Sequence, residues 1–261
     1  MRFIFSLVLS LFAVLASTAH ADDFTVLAAP YPPYSESKGL KVCGTSISAL
    51  NVIMEMCGNP LSDRAFKLTP WAYAYENAAR FPGRIVVNAR RTSVTEPLYK
   101  WVGPVVNSRI VLYGRKQDGQ DIRLKSDLKQ YRIATVRWSS AEGILLDNGF
   151  SKAELLRAAT HVRPLRMLDQ GEIDLFATDE RCAAVQFAGL GMNPGDYVIR
   201  HVFKEEPLYF AFSRDTDDRL IGRLNKALSD LKAAGRDGAS RFDRMMFARS
   251  ALENRKTGRT N

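Results

Sequence analysis

Strand-length apolar runs alternate with helical patterns along most of this chain, and that alternation limits the possible folds more than any other feature. Residues 24–29 and 84–89 are short apolar runs, whereas residues 43–57 carry apolar side chains at helical spacing. The strand pattern returns later in the chain at residues 109–113, 131–136, 172–177, 197–202 and 207–213. Strands that are separated by helices predict an α/β fold in which parallel sheets are covered on both faces.

Capping signals mark where the helices are expected to begin. A residue with a short polar side chain that precedes an apolar period is typical of an N-cap, and proline is favoured at the first helical position. The helix predicted after Pro70 carries Trp71, Ala74, Tyr75 and Ala78 on one face. The last predicted helix carries Leu220, Leu224, Leu228 and Leu231 on one face and ends near Gly235. The predicted N-caps are Thr45 or Ser46, Thr69 followed by Pro70, Ser139 in the capping box Ser-Ser-Ala-Glu, Asp179, and Thr216.

The first 21 residues have the pattern of a removable export signal. Arg2 is followed by an apolar run that extends to Ala16, and Ala-His-Ala precedes Asp22. The run is about 14 residues long, short of the ~20 that cross a membrane. We therefore expect residues 1–21 to be a signal peptide and the mature protein to be periplasmic. A retained N-terminal anchor is the alternative.

The charge balance is basic but does not indicate a nucleic-acid partner. Residues 22–261 number 240 and keep 36 of the 37 basic residues against 28 acidic ones, a net charge of +8. The basic residues are spread along the chain, which is typical of a solvated surface. An exported protein is also separated from chromosome and ribosome. We expect no nucleic-acid partner.

The three cysteines do not predict a disulfide on which the fold depends. A helix from Cys43 to Cys57 would hold the two roughly 20 Å apart, whereas a disulfide tolerates about 7 Å between Cα atoms. Cys57 is expected to be a buried thiol, and Cys182 is left over. The three histidines, at 20, 161 and 201, have no metal-ligand or triad spacing. The sequence predicts no metal and no cofactor.

Six motifs follow one another in an order that is typical of one family. They are Tyr-Pro-Pro-Tyr-Ser-Glu-Ser at 31–37, Gly44 before the first helix, residues 91–101, the strand, turn and helix start at 133–142, Leu-Asp-Gln-Gly-Glu-Ile-Asp at 168–174, and residues 207–213. Together they resemble the periplasmic solute-binding proteins of family 3, the polar-amino-acid class.

The resemblance implies the type II periplasmic binding protein fold, in which two α/β lobes close on a ligand. It places residues 22–112 and 204–261 in lobe 1 and residues 113–203 in lobe 2. The two segments that cross between the lobes would fall near 110–115 and 200–206.

Residues at helix starts are the first candidates for contact with a ligand. Ser139 and Ser140 begin a helix whose exposed backbone N–H groups suit a carboxylate or phosphate, although Ser139 is equally explained as an N-cap. Trp138 stands where the family usually has glycine, so its indole would stack on a ligand or narrow the cleft. Asp179 occupies a position from which family members commonly hold a ligand ammonium, and it is also a predicted N-cap.

Aromatic side chains and an arginine complete the candidate site. Tyr31, Tyr34 and Trp71 could form walls for apolar or cationic parts of a ligand, with ordinary packing as the alternative. Family members grip an α-carboxylate with an arginine, but Thr95 holds that position here. Arg90 and Arg91 lie just before it, and because successive strand residues point to opposite faces, at most one is expected in the cleft. We select Arg91.

Three functions remain open at this point. The first is a non-catalytic, monomeric receptor that captures a small polar solute, an amino acid or related carboxylate, and delivers it to an ABC-type membrane permease or to a sensor. The second is a periplasmic enzyme on the same fold, similar to cyclohexadienyl dehydratase, although no histidine lies in a loop that was considered for the site. The third is a binding domain that has lost its ligand and contacts a protein. Fold alone does not separate them.

Overall fold

Ten strands alternate with six helices in the part of the chain that the computed structural model describes, residues 24–235 and 238–245. The predicted signal peptide and the polar tail at 254–261 lie outside these residues. The strands are β1 Thr25–Ala28, β2 Glu36–Lys38, β3 Lys41–Cys43, β4 Phe66–Leu68, β5 Arg84–Arg90, β6 Tyr99–Arg115, β7 Ile133–Val136, β8 Leu155–Ala158, β9 Leu175–Asp179 and β10 Tyr197–Ser213. The helices are α1 Thr45–Met56, α2 Trp71–Arg80, α3 Ser140–Asp147, α4 Val162–Gln170, α5 Glu180–Gly189 and α6 Asp218–Lys232.

Eight strands form one mixed sheet in the order β4-β1-β5-β10-β6-β9-β7-β8. The outer strands pair in parallel, β1 with β4 and β5, and β7 with β8 and β9. At the centre, β10 is antiparallel to β5 and β6, and β6 is antiparallel to β9. The prediction of parallel sheets is therefore wrong at the centre, because β6 carries the chain into one half of the molecule and β10 carries it back.

The two central strands are 17 residues long and pair along their whole length. The sequence predicts only residues 109–113 of β6, and it divides β10 into 197–202 and 207–213. The pairing shifts register between Val202 and Glu205, close to the predicted break. The chain continues as one strand there because a bulge accommodates an extra residue without ending the ladder.

Three hydrophobic clusters form the core, and the long strands pass from one to another. The first contains Val106 and Leu208, while the second contains Ile110 and Phe203. The third packs around Phe176 and Phe187. We call the first cluster, with the elements that pack on it, lobe 1, and the other two lobe 2. The change of cluster at 107–109 and 204–207 lies beside the predicted crossings, and the boundaries at 112 and 204 stay a prediction.

The structure agrees with the predicted buried faces of two helices and differs from the prediction at three N-caps. The buried faces of α2 and α6 are those predicted, including Trp71 and Leu224. Three N-caps differ: Pro70 instead of Thr69, Asp217 instead of Thr216, and Gly44 instead of Thr45 or Ser46. Strands β2, β3, β4 and β8 were not predicted.

Gly44 begins α1 because no other residue fits there. Its φ is 143°, and a Cβ atom would lie 2.1 Å from the carbonyl oxygen of Tyr34. The hydroxyl of Ser46 is used elsewhere, since it donates to Asn88 Oδ1 at 2.6 Å. Close approach between the first loop and α1 therefore decides the start of this helix.

All three cysteines are free thiols. Cys57 is half-buried, contrary to the prediction of a buried thiol, because it follows the last turn of α1. Cys182 in α5 is the buried one. No helix among the described residues is long and apolar enough to cross a membrane.

Candidate functional site

A pocket lies where the two lobes meet, and residues from both line it. Its enclosed space has room for about one water molecule, and the empty volume reaches about 310 Å³ only when the open mouth is included. We call it the interlobe pocket. The lining residues come from the loop after β1, the start of α2, the ends of β7 and β9, the starts of α3 and α4, and the middle of α5: Pro30, Tyr31, Trp71, Val136, Ser139, Ala141, His161, Ala177, Thr178, Asp179 and Gln186.

The lobe 1 wall of the interlobe pocket is aromatic. The rings of Tyr31 and Trp71 are 5.8 Å apart and nearly perpendicular, at 78°. Trp71 also stacks on Tyr75, with ring centroids 6.0 Å apart. All three rings are buried within the first core cluster. This wall is thus the edge of the lobe 1 core, and two of the predicted aromatic residues form it.

Tyr34 supports this wall and does not line the pocket. Its ring lies 5.4 Å from that of Tyr31 and is fully buried. The loop holds both tyrosines because the backbone N–H of Tyr31 donates to Ser35 O at 2.7 Å. Tyr34 therefore contributes to the site by packing against Tyr31.

The lobe 2 wall is built from the first residues of three helices. Ser139, His161 and Asp179 are the N-caps of α3, α4 and α5. These helices follow β7, β8 and β9, which are parallel neighbours. The carboxyl ends of parallel strands share one edge of a sheet, which is where ligands bind in open α/β sheets.

Asp179 is the buried carboxylate of the site. Its Oδ1 accepts from the backbone N–H groups of Arg181 and Cys182 at 2.8 and 3.1 Å, and its Oδ2 accepts from Ser108 Oγ at 2.6 Å. Burial raises the pKa of Asp179, and the hydrogen bonds from Ser108 and from the helix act against this shift. The residue is both an N-cap and a part of the pocket.

The hydrogen bonds of Asp179 reach the central strand and, through Ser108, the aromatic wall. Ser108 lies in β6, and its Oγ is also 3.3 Å from the hydroxyl of Tyr31. The pKa of Tyr31 is raised well above its usual value, by burial first and by the charge of Asp179 second. The phenol therefore stays neutral. A polar chain of Tyr31, Ser108 and Asp179 thus links the two walls.

The segment at 138–142 differs in detail from the predicted capping box. Ser139 Oγ accepts from the backbone N–H of Glu142 at 3.2 Å, as expected. Glu142, however, accepts from the backbone N–H of Trp138 at 2.7 Å instead of that of Ser139. Ser140 is buried but is not among the lining residues.

Trp138 lies outside the pocket lining. It has a positive φ of 65° and is 47% exposed. Its ring is 6.5 Å from that of Tyr75 on lobe 1. The indole therefore bridges the two lobes beside the pocket and does not stack inside it.

Arg91 is not brought to the pocket. It is exposed and forms an ion pair with Glu96, in which Nη2 and Oε1 are 2.7 Å apart, and its guanidinium lies over Trp101 and Tyr209. Arg90 is the residue that faces lobe 2, because neighbouring strand residues point to opposite sides. The selection of Arg91 as a ligand contact stays a prediction, and this geometry does not favour it.

Arg90 joins the lobes without lining the pocket. Its side chain is 13% exposed and contacts Glu206 in β10 at 3.4 Å and Asp147 at the end of α3. The guanidinium packs over Gly143, where a Cβ atom would lie 2.2 Å from Nη1. Neither arginine is thus placed to grip a ligand carboxylate in this pocket.

Sequence reasoning missed three polar residues of the site. The sequence places no histidine in a candidate loop, yet His161 lines the pocket because it follows β8, a strand that the sequence does not predict. Burial lowers the pKa of His161, so the imidazole is neutral at neutral pH. Thr178 Oγ1 donates to Gln186 Oε1 at 3.2 Å, and both residues line the pocket. Recognition of β8 would have revealed His161.

Within residues 24–235 and 238–245, the His, Cys, Asp and Glu side chains form no group of three or more that could hold a metal ion. The chemical groups that this pocket offers are one carboxylate, one neutral imidazole, hydroxyls, an amide and two aromatic rings. These suit the binding of a small polar molecule.

No known family model matches the sequence, and no curated protein matches it. Many solved structures match the fold. A histidine kinase sensor domain with similarity to periplasmic binding proteins is 16% identical, covers 86% of this chain and 95% of its own, and has a TM-score of 0.72. A mutant of ArgBP from T. maritima is 16% identical over 88% of this chain and 99% of its own, with a TM-score of 0.71.

A third structure is the amino acid ABC transporter substrate-binding protein AbpA from Streptococcus pneumoniae, bound to L-arginine. It is 16% identical, covers 87% of this chain and 94% of its own, and has a TM-score of 0.71. At these identities the likeness concerns the fold, in agreement with the prediction from the sequence. The chain thus has the α/β fold of the periplasmic binding proteins, with two lobes and a cleft between them.

Proposed function

We propose that this chain is a periplasmic solute-binding protein that closes its two lobes around a small polar solute. The observation that carries the proposal is the interlobe pocket, whose aromatic wall belongs to the core of one lobe and whose polar wall belongs to the other. A ligand that contacts both walls stabilises the closed arrangement of the lobes. The monomeric state stays a prediction.

The solute would be handed to a membrane transporter or read by a sensor. Two similar structures support these two outlets, since one is a substrate-binding protein of an ABC transporter and the other is a histidine kinase sensor domain. The amino acid or related carboxylate that the sequence suggests is one class of solute to be tested. A binding assay with membrane partners would identify whether a transporter or a sensor receives the solute.

An enzyme is the second candidate, and one observation favours it. His161 and Asp179 line the same pocket, and general acid–base catalysis needs such groups within reach of a bound substrate. The oxygens of Asp179 already accept three hydrogen bonds from the protein. That arrangement suits a fixed carboxylate better than a proton carrier.

Thermal unfolding of the mature protein against a broad panel of solutes tests the proposal. The panel contains amino acids, polyamines, small carboxylates, organic amines and short peptides. A true ligand at one hundred times its dissociation constant adds about 2.7 kcal/mol of stability. If no solute raises the melting temperature, the proposal fails. If a bound solute is recovered in altered form by mass spectrometry, the enzyme is the correct assignment.

A further inference from the structure

The charge inside the interlobe pocket is carried by one residue. Among the lining residues that the structure describes, Asp179 is the acidic side chain and His161 the imidazole, and no Lys or Arg is present. His161 is neutral at neutral pH because burial lowers its pKa. The pocket therefore offers a ligand one carboxyl group and no positive side chain.

The carboxylate of Asp179 is held by dipoles and not by a cation. Its donors are the hydroxyl of Ser108 and two backbone N–H groups at the start of α5, with the thiol of Cys182 beside it. A buried carboxylate is normally paired with a basic group, since an unpaired charge is costly in the interior. A cationic group on the ligand would supply the missing partner.

The two arginines that could hold a ligand carboxylate are committed elsewhere. Arg90 pairs with Asp147 and Glu206, and Arg91 pairs with Glu96. A planar guanidinium is the side chain that matches a carboxylate with two hydrogen bonds. A ligand carboxylate would therefore lack its strongest type of partner here.

Helix N-termini favour an anion; α3 and α5 each carry a side-chain cap in this pocket, whereas the start of α4 at His161 has none. The start of α5 is capped by Asp179 itself. At the start of α3, Ser139 accepts from Glu142 N and the Glu142 carboxylate accepts from Trp138 N. A helix terminus carries roughly half a positive charge, so the full charge of Asp179 outweighs either terminus.

The aromatic wall adds a second attraction for a cation. The rings of Tyr31 and Trp71 meet at 78°, and both residues line the pocket. The faces of Trp and Tyr attract ammonium groups, and most strongly when water is excluded. The carboxylate and the aromatic wall thus both favour a ligand with a positive charge.

We propose that the solute of this pocket is a small organic cation without a carboxylate, such as an amine or a quaternary ammonium compound. The cation would lie between the rings of Tyr31 and Trp71 and the carboxylate of Asp179. This inference rests on the proposed solute-binding function and names the class of solute.

Calorimetric titration with matched probes tests this charge preference. Choline carries a permanent cation, 3,3-dimethyl-1-butanol has the same shape without the charge, and glycine betaine has the same cation with a carboxylate. Ethanolamine and glycine form a second pair that differs in the carboxylate. We expect one or both of choline and ethanolamine to bind, at least tenfold more tightly than their uncharged or carboxylate-bearing counterparts.

The variant Asp179→Asn removes the charge and keeps an N-cap, because Asn caps helices as well as Asp does. We expect it to weaken binding of the preferred cation by roughly 100-fold, as removal of a buried charge partner does. Arg91→Ala, outside the pocket, is the matched control and should leave the affinity unchanged. Circular dichroism of both variants confirms that they fold.

The outcomes separate this inference from the proposed function. If carboxylate solutes bind and the two cations do not, the cation proposal is overturned while solute binding stands. Equal affinity for choline and its uncharged analogue, or unchanged cation affinity in Asp179→Asn, also overturns it. If nothing in the broad panel binds, both proposals fall.

Discussion

The two walls of the interlobe pocket are held in place by different forces. The wall from lobe 1 is the surface of a continuous hydrophobic core, in which Tyr31 and Trp71 pack against further aromatic rings. The wall from lobe 2 consists of helix N-caps at the carboxyl ends of parallel strands, with Ser139 and Asp179 held by hydrogen bonds and His161 by its position after β8. The shape of the pocket is therefore set by side-chain packing in the lobe 1 wall and by backbone geometry in the lobe 2 wall.

This difference has a consequence for substitutions. A residue in the aromatic wall serves stability and binding together, so its removal affects both. A residue in the polar wall caps one helix, so its removal costs less stability and mainly changes the chemistry of the pocket. Four predictions follow this contrast from the largest expected effect to the smallest.

Trp71→Ala should destabilise the protein most, by about 3–5 kcal/mol, which is typical of a large aromatic residue removed from a core. Trp71 is 4% exposed and contacts both Tyr31 and Tyr75. Urea unfolding of the ligand-free protein measures the loss, and Trp71→Phe should lose less than half as much. A loss below 1 kcal/mol would show that this wall is not part of the core.

Asp179→Asn should stabilise the ligand-free protein at neutral pH, because burial raises the pKa of Asp179 in the folded state. An acid with a raised folded pKa contributes its full stability below the ordinary pKa of about 3.9, and this contribution is lost as pH rises through the folded value. The advantage of the variant should therefore grow from pH 4 to pH 7, by about 1.4 kcal/mol for each pKa unit of the shift.

Melting temperatures of the wild-type protein and Asp179→Asn across this pH range provide the measurement. The other carboxylates are the same in both proteins, so the pH dependence of stability that they contribute cancels in the difference. A difference that is constant with pH would mean that the carboxylate is not desolvated as the structure indicates.

Ser139→Ala should cost about 1 kcal/mol, the usual contribution of an N-cap. The hydroxyl accepts one hydrogen bond from Glu142 N, while the core of lobe 2 is untouched. Ser139→Thr should restore most of the stability. Thermal unfolding checks both variants, and a loss as large as that of Trp71→Ala would erase the contrast between the walls.

Arg91→Ala should have the smallest effect on the site, with solute affinity changed less than twofold. Its guanidinium is exposed and pairs with Glu96. Arg90→Ala is the informative counterpart, since Arg90 contacts Asp147 and Glu206 across the lobes. A tenfold loss of affinity in Arg91→Ala would return Arg91 to the site and contradict its placement.

Local sequence patterns predicted the residues whose role depends on neighbours within the same helix or loop. The period of α2 identified Trp71 as inward-facing, and the capping signals identified Ser139 and Asp179, because a cap and an apolar stripe are both read from residues three or four positions apart. These residues lie in the pocket. The loop proline pattern likewise marked Tyr31.

Residues whose role depends on distant partners were not predictable in the same way. Arg90 faces inward because Glu206 lies on a paired strand 116 residues away. His161 reaches the pocket because β8 joins the edge of the sheet. Gly44 begins α1 because the backbone of Tyr34 leaves no space for a side chain. No local pattern contains these contacts.

The sequence by itself determined the alternation of strands and helices, the buried faces and two of the helix starts in the pocket, since these depend on side-chain spacing and local hydrogen bonds. Only the tertiary structure decided the antiparallel centre of the sheet, the inward arginine and the meeting of an aromatic wall with a single buried carboxylate. The physical reason is that β6 and β10 pair residues far apart in the chain, and such pairing sets strand direction and brings Ser108 beside both Tyr31 and Asp179.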